Sequence, residues 1–191
     1  PVLHILPHWN WNSGQVVDVC AYTNCDEVEL LVNGNSLGRQ KKTEEKMHLS
    51  WRVMFEAGTI TGVGYKDGVE VMRQEVKTAG APAGIVLSPD RTEISADGSD
   101  LSFITVTVVD KNNVTVPYAD NLIKFSVEGD GTIAGVDNGN QTSMEPFRAD
   151  FRKAFHGKCL LVVKSGTEAS RLKVTASSEG LTAATADIQV R

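Results

Sequence analysis

Sustained helical periodicity is what this sequence most plainly lacks. No window keeps apolar residues at a 3.6-residue spacing, so helical bundles are excluded. Long apolar runs are missing as well. None approaches the ~20 residues that a membrane-crossing helix needs, so no membrane span is expected. No leader is visible: the chain opens at Pro1 without an initiator Met. The expectation is a processed product or an excised piece, with any export signal upstream. A surplus of basic residues is absent too. There are 19 Lys and Arg against 24 Asp and Glu, a net charge of −5. Split at Ala79, the counts are 8 against 10 before and 11 against 14 after. Both halves are mildly acidic, which excludes the electrostatic footprint of a nucleic-acid binder.

Reactive chemistry is equally sparse. The three cysteines, Cys20, Cys25 and Cys159, cannot all pair within the chain. Cys20 and Cys25 would close one strand and open the next. The expectation is free thiols acting as small buried hydrophobes, with a Cys20–Cys25 bond as the alternative. No C-x-x-C or His/Cys cluster points to zinc. His4 and His8 are four apart, a metal pair only on a helix, and Pro7 between them opposes one. Asp137-Asn138-Gly139-Asn140 has the composition of a calcium loop. It lacks the twelve-residue spacing and the closing Glu, and reads as a Gly-supported turn. No metal and no cofactor is expected. There is no G-x-S-x-G elbow and no P-loop. A retaining glycosidase needs two carboxyls about 5–5.5 Å apart in a pocket. Glu27, Glu29, Glu44, Glu45, Glu70 and Glu75 fall on strand surfaces or in charged loops instead. No catalytic residue is assigned.

Short alternating segments fill the chain. Residues 24–38 form its clearest signal: an apolar strand, the turn Asn33-Gly34, and a return strand. Asn-Gly marks a type I′ hairpin because both central positions need positive φ. Val28, Leu30 and Val32 share one face, Glu27 and Glu29 the other. Further strands are read at 15–23, 48–55, 59–65 and 69–77, with a charged connection or exposed edge at 39–46. The stretch 78–84, Thr-Ala-Gly-Ala-Pro-Ala-Gly, is the best domain boundary. The pattern then restarts. In 101–110, Ile104, Val106 and Val108 oppose Phe103, Thr105, Thr107 and Val109, and short strands are read near 85–87, 93–95, 114–117, 122–128, 132–136, 158–165, 171–177 and 184–190. About seven strands per half, with turns at regular spacing, predict an all-β chain of two tandem immunoglobulin-like antiparallel β-sandwiches, residues 1–79 and 80–191. Residues 43–49 and 144–153 each have room for one helical turn.

Two clusters carry possible chemistry. His8-Trp9-Asn10-Trp11 combines indoles, which pack on the apolar faces of sugar rings, with side chains that bond hydroxyls. The competing reading is that the indoles plug the sandwich or a seam, since a Trp buries up to about 250 Å². Trp51 lies on an alternating strand and reads as core. Residues 147–155 mix cations with aromatics, and cation–π packing or an Arg–Asp pair is expected there.

A family resemblance rests on two groups of motifs. His4-Ile5-Leu6-Pro7-His8-Trp9-Asn10-Trp11 followed by residues 22–38 is similar to the sandwich after the catalytic barrel in bacterial family 2 glycoside hydrolases of the β-galactosidase type. Pro89-Asp90-Arg91, Ala96-Asp97-Gly98, Asp100-Leu101-Ser102-Phe103 and Gly135-Val136-Asp137-Asn138-Gly139-Asn140 resemble the further C-terminal immunoglobulin-like domain of those enzymes, itself similar to the invasin-type sandwich. The resemblance implies a C-terminal piece of a larger exported glycosidase, extracellular or periplasmic, acting on β-galactosides or related glycans. The catalytic domain of the parent would be its partner. The family's catalytic glutamates belong to a (β/α)₈ barrel that this chain does not contain, so none is carried over. His8, Trp9, Asn10 and Trp11 are the carbohydrate-contact candidates. A carbohydrate-binding module and a tandem bacterial surface-adhesion module are the alternatives.

Overall fold

A computed structural model describes residues 1–191. The chain is all-β and divides into two compact units, Pro1–Thr78 and Ala79–Arg191. No helical turn forms at 43–49 or 144–153.

The first unit has seven strands: β1 (Leu3–Leu6), β2 (Val16–Thr23), β3 (Glu27–Val32), β4 (Asn35–Lys41), β5 (Leu49–Met54), β6 (Thr59–Lys66) and β7 (Val69–Lys77). They form two antiparallel sheets, β1-β2-β5 and β4-β3-β6-β7. In a constant-type immunoglobulin sandwich the fourth strand joins the sheet of the first, second and fifth. Here β4 stays with β3, because the two-residue Asn33-Gly34 turn hands the chain straight back. Both turn residues have positive φ, 50° and 84°, as a type I′ turn requires. Strand β1 lies in the aromatic opening stretch, where its four residues before Pro7 gave too short an alternation to read.

Alternation sets the core. Val28, Leu30 and Val32 are buried from β3, Val17, Val19 and Ala21 from β2, and Leu49, Trp51 and Val53 from β5. Strand β6 turns Ile60, Gly62 and Gly64 the same way. A Cβ on Gly62 would lie 2.8 Å from Ile5 Cδ1, and one on Gly64 would lie 2.7 Å from Cys25 Sγ. The glycines therefore make room for β1 and for Cys25. Two glutamines close the open seams between the sheets. The Ile5 N–H donates to Gln74 Oε1 at 2.6 Å, joining β1 to β7. Gln40 Nε2 donates to the Ser50 carbonyl at 2.8 Å, joining β4 to β5.

The second unit has nine strands: β8 (Gly84–Pro89), β9 (Glu93–Ile94), β10 (Leu101–Val109), β11 (Leu122–Glu128), β12 (Gly131–Asp137), β13 (Phe151–Lys153), β14 (Lys158–Ser165), β15 (Ser170–Ser177) and β16 (Ala184–Val190). One sheet runs β12-β14-β10-β8; the other runs β13-β11-β15-β16-β9, with β9 parallel to β16. The four strands of the first sheet against β11, β15 and β16 follow the constant-type order, with β13 and β9 added at the edges. Ile104, Val106 and Val108 face the core with Leu161, Val163, Leu172, Val174 and Ile188. Residues 114–117 form no strand, only an isolated bridge from Thr115 to Val109. The Asp110 carboxylate explains this: it accepts from the N–H groups of Gly80, Asn112 and Val114 at 2.8–2.9 Å and winds the segment into a turn.

All three cysteines are free; Cys25 and Cys159 are buried and Cys20 is half-buried. The reading as buried free thiols thus holds for Cys25 and Cys159; Cys20 is free but only half-buried, and the Cys20–Cys25 bond does not form.

Candidate functional site

The four carbohydrate candidates occupy the connection after β1, which ends at a cis Leu6–Pro7 bond. The structure separates them. Trp9 is fully enclosed, at 0% exposure. Its indole N–H donates to the Glu56 carbonyl at 2.9 Å, and its ring meets Phe55 edge-on at 5.2 Å between centroids. The Thr78 hydroxyl donates to the Trp9 carbonyl at 2.7 Å. Trp9 therefore ties the opening stretch to the turn before β6 and to the end of β7. Its indole presents no face to a ligand.

The other three are half-buried. His8 and Trp11 stack, with centroids 4.6 Å apart and an interplanar angle of 18°. The Trp11 indole N–H donates to the His8 carbonyl at 2.8 Å, and the Asn10 N–H donates to His8 Nδ1 at 3.2 Å. One face of Trp11 is thus taken by His8, and Trp11 also packs against the core of the unit. What reaches solvent is the rim of a His–Trp pair with Asn10 beside it. Such a rim offers ring edges and polar groups, not an extended aromatic platform.

Neither titratable nor metal-binding groups add a second centre here. No cluster of three or more His, Cys, Asp or Glu side chains is placed to hold a metal. Glu29 is held below the usual carboxylate range, first by the Ser36 hydroxyl and then by Tyr65, whose hydroxyl donates at 2.9 Å. A glycosidase general acid needs the opposite shift.

The second unit holds the feature the sequence only half disclosed. Arg152, on β13, is 1% exposed. Its guanidinium donates to the Glu145 carbonyl at 2.9 Å, to Asn138 Oδ1 at 3.2 Å and to Asp137 Oδ1 at 3.3 Å. Its Nε lies 3.7 Å from the Glu145 carboxylate, and Phe147 lies against the cation at 5.2 Å. The cation–π contact expected within 147–155 is present, and Arg152 makes its Arg–Asp pair outside that stretch, with Asp137. The turn at Asp137-Asn138-Gly139-Asn140 is explained by the same centre: Asp137 Oδ1 accepts from the N–H groups of Asn138 and Gly139 and from Arg152. A cation is already there, on a side chain. Burial pushes the nearby Cys159 thiol up to about 12, against the pull of Arg152. A burial signal was available in the sequence only as the position of Arg152 between Phe151 and Ala154.

Comparison with known proteins gives this architecture a family. Residues 85–187 match the glycoside hydrolase family 2 C-terminal domain 5, and residues 14–72 match a domain of unknown function, DUF4982. The chain belongs to glycoside hydrolase family 2, as a piece of its C-terminal region. It is 51% identical over 94% of its length to the β-galactosidase BoGH2A of Bacteroides ovatus, of which it spans 21%. It is 34% identical over 83% of its length to a putative β-glucuronidase of Formosa agariphila, of which it spans 16%. Among solved structures, a family 2 glycosyl hydrolase from Bacteroides cellulosilyticus matches 97% of the chain at 43% identity and TM-score 0.90. A β-glycosidase from Bacteroides vulgatus matches 98% at 34% identity and TM-score 0.95. The chain covers 24% of each of those two structures. It therefore spans between about a sixth and a quarter of these relatives.

Proposed function

We propose that this chain is the non-catalytic C-terminal region of a family 2 glycosidase of the β-galactosidase type, and that it braces the catalytic barrel of its parent. The observation that carries the reading is the 51% identity to the Bacteroides ovatus β-galactosidase over nearly the whole of this chain and only a fifth of that enzyme. The chemistry agrees. Its carboxylates with resolved shifts are all lowered, as hydrogen-bonded structural groups are, and none is raised toward a general acid. The test is hydrolysis of a chromogenic β-galactoside by the 191-residue chain and by its full-length parent. Turnover by the parent alone is expected; turnover by the chain that survives repurification would sink the non-catalytic reading.

Carbohydrate contact at the rim of His8 and Trp11, with Asn10, is the finer part of the proposal. The half-buried His8, Asn10 and Trp11, side by side at one rim, favour it. A glycan array on the chain and on Trp11→Ala tests it: binding that Trp11→Ala weakens is expected, and a silent array refutes it. We place the parent outside the cytoplasm, in the periplasm or beyond, in keeping with action on external glycans. Fractionation of the native host, with the parent found in the cytoplasm, would overturn that.

A further inference from the structure

The longest connection in the chain, residues 138–150 between β12 and β13, carries an inference of its own. Unstructured connections of this length are uncommon in compact domains and are either functional or disordered. This one is fixed in place. Asn138 Oδ1 accepts from the Asn140 N–H at 3.0 Å, and Asn140 Oδ1 accepts from the N–H and hydroxyl of Thr142 at 3.0 and 2.9 Å. Glu145 Oε2 accepts from the Lys153 N–H at 3.3 Å, and the Val136 N–H donates to the Phe147 carbonyl at 2.8 Å. Arg152 anchors the whole from inside.

This wiring takes up the Asn138 side chain, Asn140 Oδ1 and the hydroxyls of Thr142 and Ser143. Beside the exposed polar residues Gln141, Thr142, Arg148 and Asp150, the loop leaves two large apolar side chains in solvent. Met144 is 96% exposed and Phe147 64%, with exposed Pro146 between them. Met and Phe are enriched at the cores of protein interfaces. Held on a stiff loop, they would lose little conformational freedom on docking.

The size of the tip selects its occupant. Two side chains fall far short of the roughly 1,000 Å² that a free-standing partner or a second copy needs for a stable interface. A tether removes that requirement, because an attached partner is present at a high effective concentration. Three quarters or more of each relative's polypeptide lies outside the stretch matched here. We propose that the loop is a docking tip that seats Met144 and Phe147 in an apolar pocket on the remainder of the parent polypeptide. This rests on the reading of the chain as one region of a longer glycosidase.

Methionine oxidation in the full-length parent tests it. Peroxide converts an accessible Met to its sulfoxide, and peptide mass spectrometry gives the rate at Met144. In the native parent, Met144 is expected to oxidise on the order of tenfold more slowly than in urea, which corresponds to a tip docked most of the time. Phe147→Asp in the parent is expected to restore the fast rate. Because Phe147 also lies against the Arg152 cation, Phe147→Leu, which keeps an apolar side chain there, is run beside Phe147→Asp and is expected to keep Met144 protected; loss of protection in both variants alike overturns the proposal. Native oxidation as fast as in urea overturns the proposal. So does protection that survives Phe147→Asp. Protection that rises with protein concentration would assign the tip to a second copy, and protection seen only with added glycan would assign it to carbohydrate; either overturns the proposal. Hydrolysis of the chromogenic substrate by the parent is read separately, so failure of the glycosidase reading and failure of the docking tip are distinguishable.

Discussion

Trp9→Ala separates packing from recognition in the opening cluster. Trp9 is wholly enclosed, spends its indole N–H on the Glu56 carbonyl, and meets Phe55 edge-on. Removing a buried indole costs about 3–5 kcal/mol, and the upper half of that range is expected because the part-buried hydrogen bond to the Glu56 carbonyl is lost as well. A unit of the length Pro1–Thr78 has a total stability of roughly 4–12 kcal/mol. The substitution thus consumes a third of it or more, a fall on the order of 20 °C in the melting temperature. Trp11→Ala removes a half-buried ring with one hydrogen bond and one stacked neighbour, and costs about 1–2 kcal/mol. The assay is built into the sequence. All three tryptophans, Trp9, Trp11 and Trp51, lie in the first unit, so indole emission during urea unfolding reports that unit alone. Trp9→Phe keeps most of the volume but orphans the Glu56 carbonyl, and should fall between wild type and Trp9→Ala. A Trp9→Ala midpoint within about 1 kcal/mol of wild type, or a Trp11→Ala cost above that of Trp9→Ala, would refute the reasoning. Any glycan binding lost in Trp9→Ala should be lost only together with the fold.

Arg152→Ala should cost about 3 kcal/mol and make residues 138–150 the first site cut in limited proteolysis; Arg152→Met, which refills the volume, should recover part of the loss. An uncut loop in Arg152→Ala would refute the anchoring role. In the second unit, the Ser95 N–H, followed by Arg91, holds the Asp100 carboxyl at about 2, and the N–H groups of Gly80 and Val114 hold Asp110 below the usual range. A folded-state value below the unfolded one stabilises above about pH 4 and loses that contribution as pH falls toward about 2, so the urea midpoint of this unit should drop across that window and drop less in Asp100→Asn. A midpoint unchanged from pH 5 to pH 2 would count against it. With an aromatic disulfide reagent, only Cys20 should react in the native chain, since Cys25 and Cys159 are buried and the Cys159 thiol is raised to about 12; rapid reaction of all three without denaturant would be the contrary result.

The strands were legible because burial has a period of two, and a sandwich buries one face of each strand. Asn33-Gly34 was legible because its conformation demands those residues. Two local readings failed. Residues 114–117 alternate, yet the Asp110 carboxylate takes their neighbouring N–H groups and leaves one bridge. Strand β1 is only four residues long and pairs with β2 across a connection that contains Pro7. The candidate site was legible as composition alone. An indole serves a core and a sugar equally well, and the groups that decide between them for Trp9, the Glu56 carbonyl and Thr78, lie 47 and 69 residues along the chain.

The seams between sheets were the least legible part, and they explain how the units differ. Periodicity assigns each position to an inner or outer face, but the inner positions of edge strands sit over a gap, where a polar side chain can reach the facing sheet. Gln74 follows Met72 and precedes Val76 on the inner side of β7, and Gln40 sits at the edge on β4. Each meets a main-chain group of the facing sheet that has no strand partner at that edge. In the second unit the same task falls to Arg152, which reaches from the edge strand β13 to Asp137 at the end of the edge strand β12. The first unit is thus closed by neutral amides and the second by a buried cation between two carboxylates. Acid should also act unequally, for a separate reason: four carboxylates of the second unit, Asp97, Asp100, Asp110 and Asp187, are held below the usual range by hydrogen bonds, against Glu29 alone in the first. Far-UV circular dichroism, which reports both units, should lose signal on descending through pH 4 to 2 before the indole emission of the first unit moves, although the first unit is the smaller. Emission moving first would place the stronger acid-sensitive contacts in the first unit and refute this ordering.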